Sequence, residues 1–408
     1  MTPTAQIGGS VTNVFGEPLE NVSMSIVSSQ PEQPSNKMTD ALGNYMFEDN
    51  RMYDSYQLSG YNNDNPLNGV STLDLVLIQR HILGLERLDS AHKLIAADVN
   101  SDESVSSLDL LELRKLILGI YEEFPENESW RFINEEHIVD PLNPWPVPET
   151  RLIQDLDNNM MQENFVGVKI GDVNNSASSD IIGQSIDNRS ASYVDIMFED
   201  YAFEKGEIVE MVLRSDDLES VAGIQFTLQT QGLELQSVNG ADMNMDANNF
   251  AQLSRDITTF SWHSRDNIHA SELFTISFIS EEAGILSEAV NIVSDVTKSE
   301  AYLGSNLEIA PIKLAGRNNL EHSFELYQNK PNPFNGSTTI SFDLPINTTA
   351  KLTVMDVTGR VLWSYTDEYE QGTQSIIISE RDINASGVLY YKLEAGEYSA
   401  VRKMIIIE

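Results

Sequence analysis

The stretch Val70-Ser71-Thr72-Leu73-Asp74-Leu75, followed by Leu77-Ile78-Gln79-Arg80-His81-Ile82-Leu83-Gly84-Leu85, returns almost unchanged further along the chain. The second copy reads Val105-Ser106-Ser107-Leu108-Asp109-Leu110, then Glu112-Leu113-Arg114-Lys115-Leu116-Ile117-Leu118-Gly119-Ile120. The offset is a constant 35 residues, with no gap between the matched blocks. A repeat held in register marks a duplicated structural unit. Leu75, Ile78 and Ile82 in one copy, and Leu110, Leu113 and Ile117 in the other, fall on apolar helix faces. Each run ends on a glycine suited to a C-cap.

What precedes the second copy gives the unit its chemistry. Asp98-Val99-Asn100-Ser101-Asp102-Glu103-Ser104-Val105-Ser106-Ser107-Leu108-Asp109 places oxygen-bearing side chains at positions 1, 3, 5, 9 and 12. That is the spacing by which a twelve-residue EF-hand loop surrounds Ca²⁺. Asp98, Asn100, Asp102 and Asp109 offer side-chain oxygens, Ser104 its backbone carbonyl, and Ser106 a contact made directly or through water. Two departures stand out. Glu103 occupies position 6, where the turn favours Gly, so a non-Gly residue is expected at positive φ at a cost of about 1 kcal/mol. Position 12 is Asp, one methylene shorter than the usual Glu.

The first copy is poorer in ligands. Counting back from Asp74 puts Asn63 at position 1, Asn65 at 3 and Leu67 at 5, and Leu67 cannot ligate. A one-residue deletion instead starts the loop at Asp64, with Asn68 and Gly69 making the turn and Ser71 and Asp74 closing it. Whether this loop holds calcium stays open at this level.

Two loop–helix units of this pattern, over roughly residues 62–121, resemble a type I dockerin, the small calcium-folded module that docks onto a cohesin. The resemblance implies partner contacts from the loop ends and the mid-helix positions. Here these are Thr72, Leu73, Gln79 and Arg80 in the first copy, and Ser107, Leu108, Arg114 and Lys115 in the second. The near-symmetry of the two sets implies binding in two orientations related by a half turn.

At 408 residues the chain is too long for one ordinary core, so three or four domains are expected. With 25 basic and 63 acidic residues its formal charge is −38, which argues against nucleic acid or anionic lipid as a partner. There is no cysteine, so calcium and packing rather than disulfides are the expected staples. No apolar run reaches transmembrane length. The start, Met1-Thr2-Pro3-Thr4-Ala5-Gln6, has no apolar signal-peptide core. The chain is therefore expected to begin inside a longer precursor or to be a truncated gene model.

Residues 5–60 read as a small β-sandwich. Short alternating runs (Ile7 to Val11, Val22 to Val27, Tyr45 to Phe47) are separated by turn clusters such as Phe15-Gly16-Glu17-Pro18 and Asp40-Ala41-Leu42-Gly43-Asn44. The pattern is similar to the prealbumin-like, carboxypeptidase-regulatory-like repeats that act as spacers in bacterial surface proteins. Residues 122–182 read as an irregular connecting segment, rich in proline at 141–148 and in aromatics (Trp130, Phe132, Trp145), expected to wrap against the helical unit of 61–121. Gly171-Asp172-Val173-Asn174 echoes the start of a calcium loop, but nothing acidic follows at the right spacing, and it is taken as a strand end.

Over 183–317 strand follows strand: Ile224 to Leu228, Thr259 to Trp262, Leu273 to Phe278 and Val290 to Val293 alternate with period two. Short strands at this spacing suggest an antiparallel sandwich. Val221 to Leu228, Leu273 to Phe278 and Thr297 to Tyr302 resemble, in order, the phrases of a cohesin. A carbohydrate-binding sandwich is the competing reading, but its one candidate platform, Trp262, is more simply a core residue.

Residues 324–408 carry a second specific pattern. Leu326-Tyr327-Gln328-Asn329-Lys330-Pro331-Asn332-Pro333-Phe334-Asn335 leads into Thr338 to Pro345, then Leu352 to Val361 with a turn at Gly359, Gly387 to Leu393, and a closing Arg402-Lys403-Met404-Ile405-Ile406-Ile407-Glu408. The ordered set resembles the type A C-terminal sorting domain read by the type IX secretion system of Bacteroidota.

Catalysis finds little support. The six histidines (His81, His92, His137, His263, His269, His322) form no metal-spaced pair, and there is no thiol nucleophile, Gly-x-Ser-x-Gly elbow or phosphate-cradling loop. His263 and His269 flank Asp266 and are expected at the surface. The expectation is a mostly β protein of three sandwiches plus a small helical dockerin-like module. It is expected to be non-enzymatic, secreted or attached to the cell surface through the type IX machinery, and to use Ca²⁺ in assembly or adhesion. Its implied partner is a cohesin-like domain in cis or in trans, with head-to-tail self-association as a further form. The alternative is the non-catalytic C-terminal part of a larger secreted hydrolase or carbohydrate-binding protein.

Overall fold

The computed structural model describes residues 3–30, 34–137, 140–178, 193–318, 324–344, 347–369, 372–383, 385–396 and 398–407. Of the expectations above, those on residues 183–192 and on His322 lie outside the described residues. The chain divides into two compact units, Met1–Phe198 with Ala202–Ala315, and Glu199–Tyr201 with Gly316–Glu408.

The first unit opens with a sandwich of eight strands: β1 (Thr4–Asn13), β2 (Ser23–Ser28), β3 (Ser35–Met38), β4 (Asn44–Arg51), β5 (Tyr56–Tyr61), β6 (Trp130–Asn134), β7 (Thr150–Ile153) and β8 (Phe165–Lys169). One sheet runs β4-β1-β8-β6 and the other β3-β2-β5-β7. Between β5 and β6 the chain leaves to build three helices, α1 (Thr72–Ile82), α2 (Ala91–Ala97) and α3 (Ser107–Ile117).

This arrangement corrects the reading of 122–182 as a connector. Its three strands complete both sheets, with β8 running parallel to β1 (Val11 opposite Phe165) and β7 antiparallel to β5 (Tyr56 opposite Ile153). Trp130, Phe132, Ile153 and Phe165 enter the core with Ile7, Val11, Met24, Phe47 and Leu58. The expected packing on the helical module is also present: Phe124, Ile133, Val168, Ile170 and Val173 share a core with Leu75, Ile78, Ile95, Leu113 and Ile117. In β6 and β8 four residues of every five are buried. Strands covered on both faces lose the polar alternation by which a strand is recognised.

Burial of Leu75, Ile78, Leu113 and Ile117 matches the helix faces read from the repeat, whereas Ile82 is exposed. Both helices end in the same way. Gly84 N–H reaches the His81 carbonyl and Leu85 N–H the Arg80 carbonyl; Gly119 and Ile120 repeat this with Leu116 and Lys115. This is the Schellman closure, and it needs the left-handed glycine found at both sites (φ 68° and 73°).

The rest of the first unit is an antiparallel sandwich. Its strands Val221–Thr230, Ile257–Ile268, Glu272–Ser280, Val290–Val293 and Glu300–Leu303 contain the alternating runs read from the sequence. Phe226, Phe260 and Phe274 stack through its centre, and Trp262 is buried, as the core reading of that residue requires.

The second unit carries two sheets, one of Glu325–Leu326, Ser337–Leu344 and Gly372–Ser379, the other of Thr348–Met355, Val361–Tyr369, Gly387–Ala395 and Tyr398–Ile406. Asn329, almost fully buried, ties the first stretch down: its side-chain amide donates to the Pro331 carbonyl and Thr338 Oγ1, and its N–H reaches the Tyr391 hydroxyl. Gly359 (φ 85°) closes a turn in which Asp356 Oδ1 accepts from Thr358 and Arg360 N–H.

Candidate functional site

The loop 98–109 is built around two carboxylates. Asp98 and Asp109 are both fully buried. Asp98 accepts from the N–H of Asp102 at 3.0 Å and of Glu103 at 3.2 Å. Asp109 Oδ1 accepts from Val99 N–H at 2.8 Å and Asn100 N–H at 3.2 Å, while its Oδ2 accepts from Ser106 N–H at 2.8 Å. Ser106 Oγ in turn accepts from Leu108 N–H, so Ser106 and Asp109 also form a capping box at the start of α3. Glu103 takes the expected positive φ (65°), and Ser101 shares it (58°).

Burial, and then the neighbouring Asp109, push the Asp98 carboxyl up to about 6; burial also raises Asp109. The nearest guanidinium, Arg131, stands 3.9 Å from Asp98. Among the described residues no three His, Cys, Asp or Glu side chains form a metal-holding group. The loop instead offers oxygens of mixed origin: buried Asp98 and Asp109, exposed Asp102, the amide of Asn100, and Ser104 and Ser106. An all-oxygen set with two buried, like-charged carboxylates fits a hard divalent cation.

The residues expected for the first site separate. Ser71 and Asp74 form a capping box on α1, with Ser71 N–H donating to Asp74 Oδ2 at 2.9 Å, and Asp74 is fully buried. Asp64 is exposed, its N–H taken by Asn62 Oδ1, and Asn68 is tied to Ser178. The groups that meet Asp74 Oδ1 are the N–H of Val173 and Asn174, from the stretch read as a strand end. That stretch does follow β8, but it also carries buried Asp172 to the start of α1.

A second cluster of expected residues lies where the helices meet the sandwich of Val221–Thr230 and Ile257–Ile268. Thr72 is fully buried there: its N–H donates to Gln225 Oε1 at 2.6 Å, and its Oγ1 lies 2.7 Å from Ser261 Oγ. Leu73 is buried beside it. From the second copy, Arg114 Nη2 donates to His263 Nδ1 at 2.8 Å. Sequence reasoning missed the other half of this contact, in which Thr259 Oγ1 donates to the Leu118 carbonyl at 2.6 Å and Thr297 Oγ1 to the Ile117 carbonyl at 2.8 Å. Gly119 packs on Leu253 and Val296. His263 is thus an interface residue rather than the surface residue expected, while His269 is exposed.

The contact uses the N-terminus of α1 and the C-terminal half of α3. The remaining predicted residues stand apart from it: Ser107 and Leu108 are exposed, Arg80 pairs with Glu86, and Lys115 bonds Glu112 and Tyr121. Gln79 Oε1 is buried without a hydrogen-bond partner among the described residues.

Residues 62–118 match the dockerin type I domain family, and residues 330–407 match the secretion system C-terminal sorting domain family. The chain is therefore a modular protein with a type I dockerin domain and a type IX sorting domain, which directs it to the cell surface or the extracellular space. Both are non-catalytic kinds of module. No helix among the described residues is long and apolar enough to cross a membrane. No curated protein matches the chain.

Among solved structures the chain is similar to the Coh-OlpA–Doc918 cohesin–dockerin complex of Clostridium thermocellum (10% identity, TM-score 0.25, covering 30% of this chain and 95% of that one). It is also similar to the seventh ScaB type I cohesin of Pseudobacteroides cellulosolvens (15%, 0.23, 33% and 99%). A third is BcpA, the major pilin subunit of Bacillus cereus (9%, 0.22, 99% and 97%). At these values the likenesses carry nothing about partner or activity.

Proposed function

We propose that this secreted protein is a non-catalytic assembly module for the cell surface, in which calcium organises the dockerin domain and the ordered domain seats on the chain's own sandwich. The observation that carries this reading is the pair of contacts from Thr72 to Gln225 and Ser261, together with Arg114 to His263. Two of the positions expected to bind a cohesin-like partner are thereby occupied in cis. A cation at 98–109 neutralises Asp98 and Asp109, fixes the start of α3, and so holds the Ile117 and Leu118 carbonyls where Thr297 and Thr259 meet them. Ser107 and Leu108, left exposed, are the surface by which a sandwich of another chain would attach in the second orientation.

Hydrogen exchange of the full chain with calcium and with chelator tests the proposal. Removing calcium should speed exchange at 98–118 and, through the lost contact, at 221–228 and 257–263. Faster exchange confined to the loop would refute coupling between calcium and the seat. Unchanged exchange throughout would refute the calcium role itself.

A further inference from the structure

Asp172-Val173-Asn174-Asn175-Ser176 repeats the opening of the loop at Asp98-Val99-Asn100-Ser101-Asp102, yet it lies 98 residues beyond Asp74. The two openings are built alike atom by atom. Asp98 accepts from the N–H groups four and five residues on, and Asp172 does the same with Ser176 at 3.0 Å and Ala177 at 2.7 Å. The closing aspartates match as well. Asp109 Oδ1 collects the N–H of Val99 and Asn100; Asp74 Oδ1 collects those of Val173 and Asn174 at 2.9 and 3.4 Å. In each, Oδ2 goes to the serine three residues before it, Ser106 or Ser71. The fourth residue is left-handed in both, Ser101 at 58° and Asn175 at 56°.

The halves are knitted where a continuous loop has a peptide bond. Ser176 Oγ donates to the Gly69 carbonyl at 3.0 Å, and Asn68 and Ser178 exchange two bonds. Gly69 (φ 76°) permits this approach, since a Cβ there would lie 2.5 Å from Ala177 N and 2.7 Å from Asp172 Oδ2.

Two observations point to a cation at this place. Asn174 Oδ1, at the third loop position, is buried and has no hydrogen-bond partner among the described residues, an arrangement proteins rarely leave uncompensated. Asp74 and Asp172 are buried together with one ammonium, Lys169, whose Nζ bonds the Pro66 and Ile170 carbonyls rather than either carboxylate. Among the described residues, one buried positive charge faces two buried negative ones.

We propose that Asp172, Asn174 and Ser176, with the Gly69 carbonyl, Ser71 and Asp74, form a second divalent-cation site of hard-oxygen type, suited to Ca²⁺ and split between two distant segments of the chain. It rests on reading loop 98–109 as a calcium loop, whose construction it copies. A cation there clamps the end of β8 to the start of α1 and so locks the inserted domain to its sandwich.

The test is calorimetric titration of the chelator-stripped full chain with CaCl₂, with folding followed by circular dichroism. Two ions per chain are expected, one remaining in Asp172→Asn and one in Asp98→Asn. Asn174→Ala, which keeps every carboxylate, should weaken one of the two sites about tenfold or more, and it decides the matter where Asp172→Asn fails to fold. Two ions with unchanged affinities in Asn174→Ala would overturn the split site. A single wild-type ion, lost in Asp98→Asn and kept in Asn174→Ala, would overturn it too while leaving the loop at 98–109 intact. No binding at all would remove both.

Discussion

His263 shows how one residue sets a condition on the whole contact. Its Nδ1 accepts from the Arg114 guanidinium, so the ring is neutral and carries its proton on Nε2. Burial, and then Arg114, hold the imidazole down at about 3. A released or unfolded His263 takes up a proton below its ordinary value near 6.5, while the docked one does not, so stability is lost as pH falls. The loss should begin near pH 6.5 and level off near pH 3, at no more than ~1.4 kcal/mol per pH unit. Denaturant unfolding of the full chain from pH 7.5 to 5 measures it, and His263→Gln should flatten that part of the profile. Gly69 is the second decisive residue. Gly69→Ala must move Ala177 and Asp172 and hold alanine at left-handed φ, costing about 2 kcal/mol or more. Equilibrium denaturation reads this directly, and a change under 0.5 kcal/mol would contradict the close approach.

At the scale of elements, what was legible in the sequence was local. Loop 98–109 and helices α1 and α3 were readable because every expected ligand, cap and apolar position sits within a dozen residues of the next. The ordered strands of the sorting domain were readable for the same reason. The proposed split site was readable only at its opening, where Gly171-Asp172-Val173-Asn174 echoes a calcium loop, because Asp172 and Asp74 become neighbours only after β6, β7 and β8 carry the chain back to the start of α1. β6 and β8 were hidden by burial on both faces and by the prolines at 141–148. The seat for α1 and α3 depends on Gln225, Thr259, Ser261 and Thr297, ordinary strand residues with no motif. Leu113, fully buried between the helices and β8, ties these elements together. Leu113→Ala should destabilise the first unit by ~2–5 kcal/mol, seen as a lower midpoint in thermal unfolding.

For the whole molecule, the two compact units should respond differently to metal. Both proposed sites lie in the first unit, and the strands from Ser337 to Ile406 form a core of their own around Phe342, Leu352, Tyr391 and Ile406. Differential scanning calorimetry should show chelator lowering one transition and leaving the other in place. A joint shift of both would count against separate units.

The dockerin domain seats on the chain's own sandwich through Thr72, and a chain without cysteine permits a clean test of that contact. Thr72 Oγ1 and Ser261 Oγ lie 2.7 Å apart. A Thr72→Cys, Ser261→Cys double variant, oxidised in dilute solution with calcium, should close one intramolecular disulfide in most molecules, read as a loss of two mass units from a monomer with no free thiol. Thiols that stay free, or that pair only between chains, would rule out the seat in solution.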